Sequence, residues 1–491
     1  MQNIAGTTSA RILIGALLLT SCGVDDELAD KQSEVDAPDF VSSNGITVTA
    51  VRWITPRTLE VDVSTDLVAP VAVNGPHRLR VTLPSNYFQQ PAARFPVLYL
   101  LHGGAGGNSA QWTTGGGAVE PITEGKPIIT VMPDGGKVGW FTNWVDQGQG
   151  AQRWADFYLD QVVPWVDANM RTIASKSGRA IAGLSMGGYG AVRLAQDRPD
   201  LFASVGSFSG AVDLGDFGTR TVVTEQAIQY GFNPIGPFGS PFWPSDLTWK
   251  AKDPMRRTTR LAGLQVLLYA GAGTSDFDLI ERTMGQSADR FSKKLAANGV
   301  PHFWWMYGRP GPAAPFGCDG GHNFSCWNFA LNDALPKMLD VLEKPSFPPP
   351  PPGVNALANS GFEGGLGPWA CNGICGDDHG IGLARSGVGN GWARGTEGWH
   401  DVHQTIVVAP NRQYEVSGWI RTSANLADGF IGLRTPGGQV VGERKFASHG
   451  GYTQVTISAS SGANTSLVFF TGLWATGDTW LHLDDVSVIG N

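Results

Sequence analysis

A run of five prolines constrains the fold of this chain more than any other feature of its sequence. The prolines belong to the segment EKPSFPPPPPGVN, residues 343–355. Such a run adopts a stiff polyproline II conformation and can lie inside neither a helix nor a β-sheet. Since 491 residues are also too many for one ordinary core, the sequence predicts two domains, residues 43–343 and 354–491, joined by a Pro-rich linker at residues 344–353.

Before the linker, short apolar segments alternate with segments of helical periodicity. Six segments are apolar nearly throughout, which is typical of strands covered on both faces. These predicted strands are Val97–Leu101, Ile128–Met132, Ala180–Ala182, Ser204–Phe208, Val266–Tyr269 and Phe303–Met306. The predicted helices are Trp154–Asn169, Gly187–Gln196 and Ser287–Asn298. Repeated βα units imply a mainly parallel sheet, to which residues 46–61 and 78–83 would add antiparallel edge strands.

The segment RAIAGLSMGGYGAVRLA, residues 179–195, places Ser185 between a predicted strand and a predicted helix. Gly183 and Gly187 lie two positions on either side of the serine, where a side chain would collide with the backbone of a sharp turn. Because the chain contains 66 glycines, the pattern G-x-S-x-G also arises by chance, and a structural serine is the alternative. The flanking strand and helix nevertheless predict that Ser185 is a nucleophile at a strand's carboxyl end.

Two backbone amides are candidates for binding the negative oxygen that forms when a nucleophile attacks a carbonyl. One belongs to Met186, which follows the nucleophile at the start of a helix. The other belongs to Gly104, in the segment HGGAGG that follows the strand Val97–Leu101. A plain Gly-rich turn has the same composition, but glycines here also let the backbone approach a substrate closely, so we expect an oxyanion hole at these amides.

A nucleophilic serine needs a general base, which in this class of fold follows the last strand. The segment CDGGHNFSC lies there and contains His322 between Cys318 and Cys326. A disulfide across this loop would hold the imidazole still, as a general base requires. A lone loop histidine is otherwise usually solvated, so the position in the chain carries the prediction that His322 is the base.

A carboxylate is expected after the strand Val266–Tyr269, where it would fix the histidine tautomer and stabilise the imidazolium. The segment GAGTSDFDLIERTM contains three candidates there, namely Asp276, Asp278 and Glu281. All three qualify by their order in the chain. Spacing alone does not choose among them.

From about Arg78 to Leu342 the chain resembles the esterase D-type α/β hydrolases, and among them most closely the antigen-85 mycolyltransferases and their actinobacterial esterase relatives. The matching segments are YLLHGG, VMPDGG-x-x-x-W-F-T-N-W, GLSMGG, WK-x-x-DPM and GGHNFSCWNFAL, in that order. The resemblance implies an α/β hydrolase fold and acyl-enzyme chemistry. It also implies that the acid is Glu281, since the family places a glutamate ahead of the helix before the last strand. In the feruloyl and esterase D branches the acid would instead be Asp276.

One motif departs from the mycolyltransferase pattern. Those enzymes carry Asp-Gly-Leu-Arg where this chain has His102-Gly103-Gly104-Ala105. The acid and the arginine that help to hold trehalose in that family are therefore missing from this motif, which argues against trehalose mycolyl transfer. The lid segment, residues 214–261, shows no obvious groove for a long acyl chain.

Residues 354–491 contain short β-like runs between turn residues, which predicts an all-β domain. They resemble jelly-roll carbohydrate-binding modules whose first strand reads N-x-L-x-N-x-G-F-E and whose last strand ends L-D-D-V. Terminal strands of a sandwich lie side by side, which would bring Glu363 close to Asp484 or Asp485. Oxygen ligands from Glu363 and Asp485 would suit a structural Ca²⁺, as relatives often have, and a solvated acidic edge is the alternative.

Five tryptophans of the second domain are candidates for stacking on sugar rings, and the first, second and fourth are the predicted sugar-binding residues: Trp392, Trp399, Trp419, Trp474 and Trp480. Most tryptophans of a β-sandwich are core residues, so each of them has a structural alternative. No catalytic motif is recognisable in this domain. Its expected role is to target the first domain to a carbohydrate polymer across a stiff linker.

The first 21 residues have the features of a signal peptide, with Arg11 before the apolar run ILIGALLL, which is too short to span a bilayer. The tetrad Leu19-Thr20-Ser21-Cys22 resembles a bacterial lipobox, in which the cysteine is acylated; an ordinary signal peptide is the alternative. Residues 22–42 are acidic and are predicted to be a flexible tether. The sequence thus predicts export, to the bacterial cell surface through a lipid anchor or to the extracellular space.

Four cysteines remain after Cys22, namely Cys318, Cys326, Cys371 and Cys375. An even number in an exported chain suggests disulfides, and three connectivities are possible. Pairing of nearest neighbours, 318 with 326 and 371 with 375, is favoured because it closes two small loops. Neither pair has the spacing of a structural zinc site.

The net charge of −8 and the absence of a Lys/Arg block argue against a nucleic-acid partner, and no cofactor is expected for catalysis. The sequence predicts a secreted or surface-anchored serine carboxylic ester hydrolase that acts on polysaccharide esters of the feruloyl or acetyl type. One alternative is an acyltransferase of the mycolyltransferase or diacylglycerol acyltransferase type. A further alternative is a non-catalytic carbohydrate-binding adhesion protein.

Overall fold

A nine-stranded sheet occupies residues 47–308. The computed structural model describes residues 38–491 except 71–74, 89, 91–92 and 347–348. The strands of this sheet are β1 Thr47–Trp53, β2 Thr58–Ser64, β3 His77–Thr82, β4 Val97–Leu101, β5 Ile129–Pro133, β6 Arg179–Leu184, β7 Ser204–Phe208, β8 Gln265–Gly271 and β9 Phe303–Gly308. Their spatial order is β1-β2-β3-β5-β4-β6-β7-β8-β9. The six strands β4 to β9 run parallel to one another. Strands β1 to β3 extend the sheet at one edge, where they pair antiparallel.

Helices cover both faces of this sheet. They are α1 Val119–Thr123, α2 Trp154–Asp156, α3 Val163–Asn169, α4 Met186–Asp197, α5 Phe217–Gln229, α6 Leu247–Lys252, α7 Leu279–Ala297 and α8 Phe324–Val341, with a π-helical turn at Phe157–Val162 and 3₁₀ turns at Lys176–Gly178, Pro254–Arg256, Thr258–Leu261 and Pro315–Gly317. Alternate residues of β4 enter different cores: Tyr99 belongs to the core that also contains residues of α3, α4 and α7, whereas Leu100 belongs to the core that contains residues of α1 and α8. The predicted mainly parallel sheet with two covered faces is confirmed.

Several elements differ from the prediction by one to three residues, and two differ more substantially. Residues 46–61, predicted as one β-like run, contain the whole of β1, a turn and the start of β2. Helix α7 begins eight residues before the predicted Ser287, because the Asp278 side chain caps it by accepting a hydrogen bond from the Glu281 amide at 3.2 Å. This earlier start places Glu281 in the first turn of the helix.

An eight-stranded antiparallel sheet system occupies residues 370–490. Its strands are β10 Ala370–Asn372, β11 Cys375–His379, β12 Gly389–Val407, β13 Gln413–Thr422, β14 Asp428–Arg434, β15 Val440–Phe446, β16 Thr453–Ser460 and β17 Ser466–Gly490. The long strands β12 and β17 pair with each other, and β17 pairs first with β14 and then with β13. These two strands therefore run through both layers around a separate apolar core, as expected of the predicted all-β jelly roll.

Both predicted disulfides are present, Cys318–Cys326 and Cys371–Cys375. The first crosses the loop that carries His322. The second joins the middle of β10 to the first residue of β11.

The N-terminal predictions fall mostly outside the described residues, including the signal peptide and Cys22. The last residues of the predicted tether contact α3, since Phe40 packs edge-on against Trp165 and the Val41 amide donates to Asn169 Oδ1 at 2.6 Å. Over the described ranges, no helix is both long and apolar enough to cross a membrane.

Candidate active site

Ser185 lies in the sharp turn between β6 and α4, at the carboxyl edge of the parallel strands. Its φ of 51° lies in the left-handed region that side chains other than glycine rarely adopt. A Cβ built on Gly183 would lie 2.4 Å from the Gly187 carbonyl oxygen, and one built on Gly187 would lie 2.5 Å from the His102 carbonyl oxygen. Only glycine therefore fits on either side of the serine, and the strained turn lifts the Ser185 hydroxyl above the start of α4.

His322 joins Ser185 to Glu281 through two hydrogen bonds. The distance from His322 Nε2 to Ser185 Oγ is 3.0 Å, and that from His322 Nδ1 to Glu281 Oε2 is 2.7 Å. A neutral imidazole that donates its Nδ1–H to the carboxylate leaves Nε2 free to accept the serine proton. The Trp327 ring meets the imidazole edge-on at 4.9 Å, so that packing as well as the Cys318–Cys326 disulfide restrains the loop.

Glu281 is completely buried and its other oxygen is also occupied. Glu281 Oε1 accepts hydrogen bonds from Ser209 Oγ at 2.8 Å and from the Gly271 amide at 2.6 Å. Ser209 follows β7 with a φ of 50°. Sequence reasoning missed this residue, although a Ser-Gly pair directly after a buried strand lies where active-site groups gather.

The other two predicted carboxylates have different partners. Asp276 is exposed and pairs with Arg309 at 2.8 Å, and the hydrogen bond and charge of this guanidinium hold the pKa of the carboxyl below its usual value. Asp278 caps α7 and accepts a hydrogen bond from the Thr274 amide. Of the three candidates, the structure therefore brings only Glu281 into contact with His322.

The amides of Gly104 and Met186 donate to no acceptor in the described part of the chain. By contrast, the neighbouring Gly103 amide donates a hydrogen bond to Gln111 Oε1 at 3.0 Å. Gly104 and Ser185 line the same pocket. Two free N–H groups beside the serine, one of them at a helix N-terminus, suit a developing negative oxygen.

The His102 imidazole orients the Gly104 amide. Its Nδ1 lies 2.7 Å from the Gly103 carbonyl oxygen, and its Nε2 accepts a hydrogen bond from the Gly135 amide at 2.7 Å. The Gly103 carbonyl and the Gly104 N–H belong to one trans peptide unit and point in opposite directions. The imidazole therefore turns the Gly104 N–H by holding the carbonyl. Burial lowers the pKa of His102 to about 4, which keeps this histidine neutral at pH 7.

We expect His102 to make the protein acid-sensitive. Because burial depresses the folded-state pKa from 6.5 to about 4, the unfolded state binds more protons, and stability is lost as the pH falls from 6.5 towards 4. The free energy of unfolding of the wild type, minus that of His102→Gln, should fall by about 2 kcal/mol from pH 7 to pH 5. Urea unfolding at both pH values measures it.

Comparing the two proteins cancels groups that titrate in both. Asp134, whose pKa burial raises to about 6, would otherwise contribute a pH dependence of the opposite sign. Identical pH dependence in wild type and His102→Gln would contradict the neutral buried tautomer.

A pocket of about 180 Å³ opens beside Ser185 and His322. Helices α5 and α7 form much of its wall, through Val222 and Gln226 from the first and Met284 from the second. The remaining lining residues are mainly apolar and include Trp140, Leu184, Ala211, Ile280 and Trp327. The pocket is therefore small and mostly apolar, with polar groups near the oxyanion loop, residues 102–107.

The structure separates the three tryptophans predicted to bind sugar. Trp399 and Trp474 are directly opposite each other on β12 and β17. Trp392 lies further along β12, opposite His482, in a second pocket that it shares with Trp480. Trp399 and Trp474 are therefore neighbours on adjacent strands, whereas Trp392 lines a different pocket.

The predicted calcium ligands are close together but engaged with protein donors. A Cβ built on Gly361 would lie 3.8 Å from both Glu363 Cγ and Asp485 Oδ1. Glu363 accepts hydrogen bonds from the Val388 amide, and Asp485 accepts one from Ser386 Oγ at 2.8 Å. Among the residues that the structure describes, no group of three or more His, Cys, Asp or Glu side chains could hold a metal ion. The calcium site stays a prediction.

A mainly parallel sheet that carries a Ser–His–Glu arrangement at its carboxyl edge defines an α/β hydrolase. Residues 71–338 match the model of the Esterase family, described as "Putative esterase". Since this match covers more than half of the chain, the chain belongs to that family.

Named proteins are similar to parts of the chain. Esterase Rv1288 of Mycobacterium tuberculosis (strain ATCC 25618 / H37Rv) is 35% identical over 232 residues, 46% of this chain and 50% of that protein. The chain thus spans about half the length of the first curated relatives it matches. Diacylglycerol acyltransferase/mycolyltransferase Ag85B of Mycobacterium leprae is 27% identical over 52% of this chain and 79% of that protein. The endo-1,4-beta-xylanase/feruloyl esterase of Xylanibacter ruminicola is 34% identical over 30% of this chain and 20% of that protein.

Proposed function

We propose that this chain is a serine ester hydrolase that works through an acyl-enzyme. The observation that carries the proposal is the hydrogen-bonded series Ser185–His322–Glu281 beside two backbone amides that donate to no described residue. A serine held only for structure would need neither a buried carboxylate behind the histidine nor uncommitted amides in front of it. Family membership supports the same chemistry.

The first half of the reaction forms the acyl-enzyme. Ser185 Oγ attacks the ester carbonyl carbon while His322 Nε2 takes the hydroxyl proton. The carbonyl oxygen becomes negative and accepts hydrogen bonds from the Gly104 and Met186 amides. Glu281 stabilises the imidazolium through Nδ1. When the intermediate collapses, the bond to the alcohol oxygen breaks and His322 returns its proton to the leaving alcohol.

The second half removes the acyl group. A water molecule attacks the acyl carbon while His322 Nε2 takes one of its protons, and the same two amides hold the negative oxygen. Collapse breaks the bond to Ser185 Oγ, which regains the proton from His322. The products are the free acid, the alcohol and the original enzyme.

The proposed substrates are esters attached to polysaccharides, of the feruloyl or acetyl type. Two features support this class: a relative named as a feruloyl esterase, and an appended all-β domain whose terminal motifs resemble those of carbohydrate-binding modules. A panel of esters with acetyl, feruloyl and longer acyl groups, free and attached to xylo-oligosaccharides, tests it. Preference for simple long-chain esters over all sugar-linked ones would contradict the proposal.

Transfer of the acyl group to an alcohol is the second candidate, favoured by the similarity to Ag85B. Both reactions share the acyl-enzyme and differ in whether water or an alcohol attacks it. Adding sugar acceptors to the ester assay separates them, because transfer forms a new ester at the expense of free acid. Release of free acid in equal amount with and without acceptor favours hydrolysis.

A sugar-binding role for the second domain is supported by the surface around Trp399. A Cβ built on Gly472 would lie 2.6 Å from Trp399 Cζ2, so the glycine lets the indole lie across the sheet. Trp474, directly opposite on the neighbouring strand, is 54% exposed. Adjacent flat aromatic rings with polar groups beside them suit the faces and hydroxyl groups of sugars.

Polar groups beside these rings are held by one buried carboxylate. Asp401 accepts hydrogen bonds from the Trp399 indole N–H at 2.7 Å, from His403 Nδ1 at 2.7 Å and from Arg434 at 2.9 Å. Burial alone would raise the pKa of Asp401, but these hydrogen bonds and the Arg434 charge outweigh it and hold the pKa below its usual value. The carboxylate thus fixes an indole, an imidazole and a guanidinium on one face of the sheet.

We expect Trp399→Ala to weaken polysaccharide binding at least about tenfold, since a buried aromatic contact to a ligand is commonly worth more than 1 kcal/mol. Affinity electrophoresis of the full chain in gels that contain xylan, galactan or soluble cellulose derivatives measures the effect. Trp392→Ala is the matched control, because this residue lies in a different pocket. Retardation lost only in Trp392→Ala would place the sugar site there instead.

We further propose that the protein works outside the cytoplasm, as a bacterial cell-surface lipoprotein or an extracellular protein. The two disulfides support an oxidising compartment. Acylation of Cys22 and attachment to a membrane remain predictions from the sequence.

A further inference from the structure

Gln226 places an uncommitted carboxamide beside the oxyanion loop. It lies on α5 and lines the same pocket as Ser185 and His322. Its Oε1 atom is buried and has no hydrogen-bond partner among the described residues. A Cβ built on Gly104 would lie only 2.7 Å from this oxygen, so the carboxamide packs directly against the peptide that supplies the predicted oxyanion donor.

A second carboxamide stands on the other side of the same loop. Gln111 accepts a hydrogen bond from the Gly103 amide through Oε1, and its side-chain NH₂ donates to no acceptor in the described part of the chain. Gln111 also lines the pocket. Two amide side chains therefore lie against the oxyanion loop, each with a hydrogen-bonding group that no described residue pairs.

The chemistry of the pocket indicates which part of an ester, acyl group or alcohol, these two amides contact. Much of the remaining lining consists of apolar side chains such as Trp140, Val222 and Met284, which suit an acyl group. A buried amide oxygen without a partner is unfavourable, and such groups are rare unless water or a ligand pairs them. A neutral carboxamide both donates and accepts hydrogen bonds, which matches a hydroxyl group, because a hydroxyl also does both.

We propose that Gln226, assisted by Gln111, binds a hydroxyl group on the alcohol portion of the ester. This assignment rests on the proposed esterase function and adds to it a selection for esters of polyols, such as sugars, over esters of simple alcohols. Gln226 would then be a specificity-determining residue supplied by α5. The chemical steps use Ser185, His322 and the two backbone amides.

The test compares two acetyl esters that differ only in the alcohol. Acetylated xylo-oligosaccharides carry hydroxyl groups next to the ester, whereas 4-nitrophenyl acetate carries none. We expect Gln226→Met, which keeps the length of the side chain but removes its hydrogen bonds, to lower the ratio of kcat/KM for the sugar ester to that for 4-nitrophenyl acetate about tenfold. Full-chain protein is used, and its thermal unfolding verifies that the variant is folded.

Gln229→Met is the matched control, because Gln229 is exposed on the same helix one turn nearer its C-terminus. The control should leave the substrate ratio at the wild-type value. An equal loss on both esters in Gln226→Met would overturn the proposal, since it would indicate a wall of the pocket or a third oxyanion donor. Failure of the wild type to cleave any ester would instead overturn the proposed function itself, and the inference with it.

A second pair of esters places the hydroxyl group on the acyl side. Methyl lactate and methyl propionate differ by one hydroxyl next to the carbonyl. We expect Gln226→Met to leave the ratio of kcat/KM between these two unchanged. A change in this ratio, with none in the sugar-ester ratio, would assign the carboxamide to the acyl group and overturn its assignment to the alcohol.

Discussion

Replacing Ser185 with alanine should lower kcat for every ester that the chain cleaves, by a factor on the order of a million. The alanine removes the hydroxyl oxygen that His322 contacts, so His322 and Glu281 have no nucleophile to activate. Initial rates with 4-nitrophenyl acetate measure the loss. A fluorescent fluorophosphonate, which bonds covalently to activated serines, should label the wild type and leave Ser185→Ala unlabelled.

Ser448→Ala serves as the control, because this serine is exposed in the region of the second sheet. That variant should be labelled like the wild type. Persistent labelling of Ser185→Ala would show that another residue is the nucleophile. Loss of ester cleavage in Ser185→Ala would also exclude the view that the protein is only a carbohydrate-binding adhesion protein.

Glu281→Gln should lower kcat by about 10⁴-fold while the protein remains folded. The carboxylate accepts hydrogen bonds from Ser209, Gly271 and His322 and donates none. An amide of the same shape must direct its NH₂ group towards one of these donors. If the NH₂ group faces His322, the imidazole must carry its proton on Nε2, where it can no longer accept the serine proton. Steady-state kinetics of the variant measure the loss.

Asp276→Asn is the matched control for this prediction, since Asp276 precedes the same helix but pairs with Arg309 at the surface. Its kcat should stay within a few-fold of the wild type. The reverse pattern, a large loss in Asp276→Asn and a small one in Glu281→Gln, would assign the acid to Asp276, as in the feruloyl and esterase D branches. Thermal unfolding of both variants separates a catalytic loss from loss of the buried Glu281 network.

The parallel strands and the position of Ser185 could be predicted because each depends on local sequence. Strands β4, β5, β6 and β7 are buried along their whole length, and such strands appear in the sequence as uninterrupted apolar runs. Ser185 could be located because its turn leaves two positions where only glycine fits. His322 followed from its place after the last strand.

The acid could not be chosen from the residues alone, because the choice depends on which carboxylate is turned inward. Asp276, Asp278 and Glu281 lie within six residues, and each has a role: a surface ion pair, a helix cap and a partner of His322. The cap at Asp278 starts α7 earlier than the helical periodicity indicates. In doing so it sets the direction of Glu281, which periodicity does not reveal.

Local sequence by itself determined the division by a proline run, the alternation of buried strands and helices, the tight turn at Ser185 and the pairing of near cysteines. Each of these depends on the backbone preferences or the burial of a few adjacent residues. Only the tertiary structure decided that Ser209 holds Glu281, that His102 turns the Gly104 amide and that Gln226 lines the pocket with an Oε1 atom that no described residue pairs. These contacts join segments far apart in the chain, and their geometry exists only once the sheet has brought those segments to one edge.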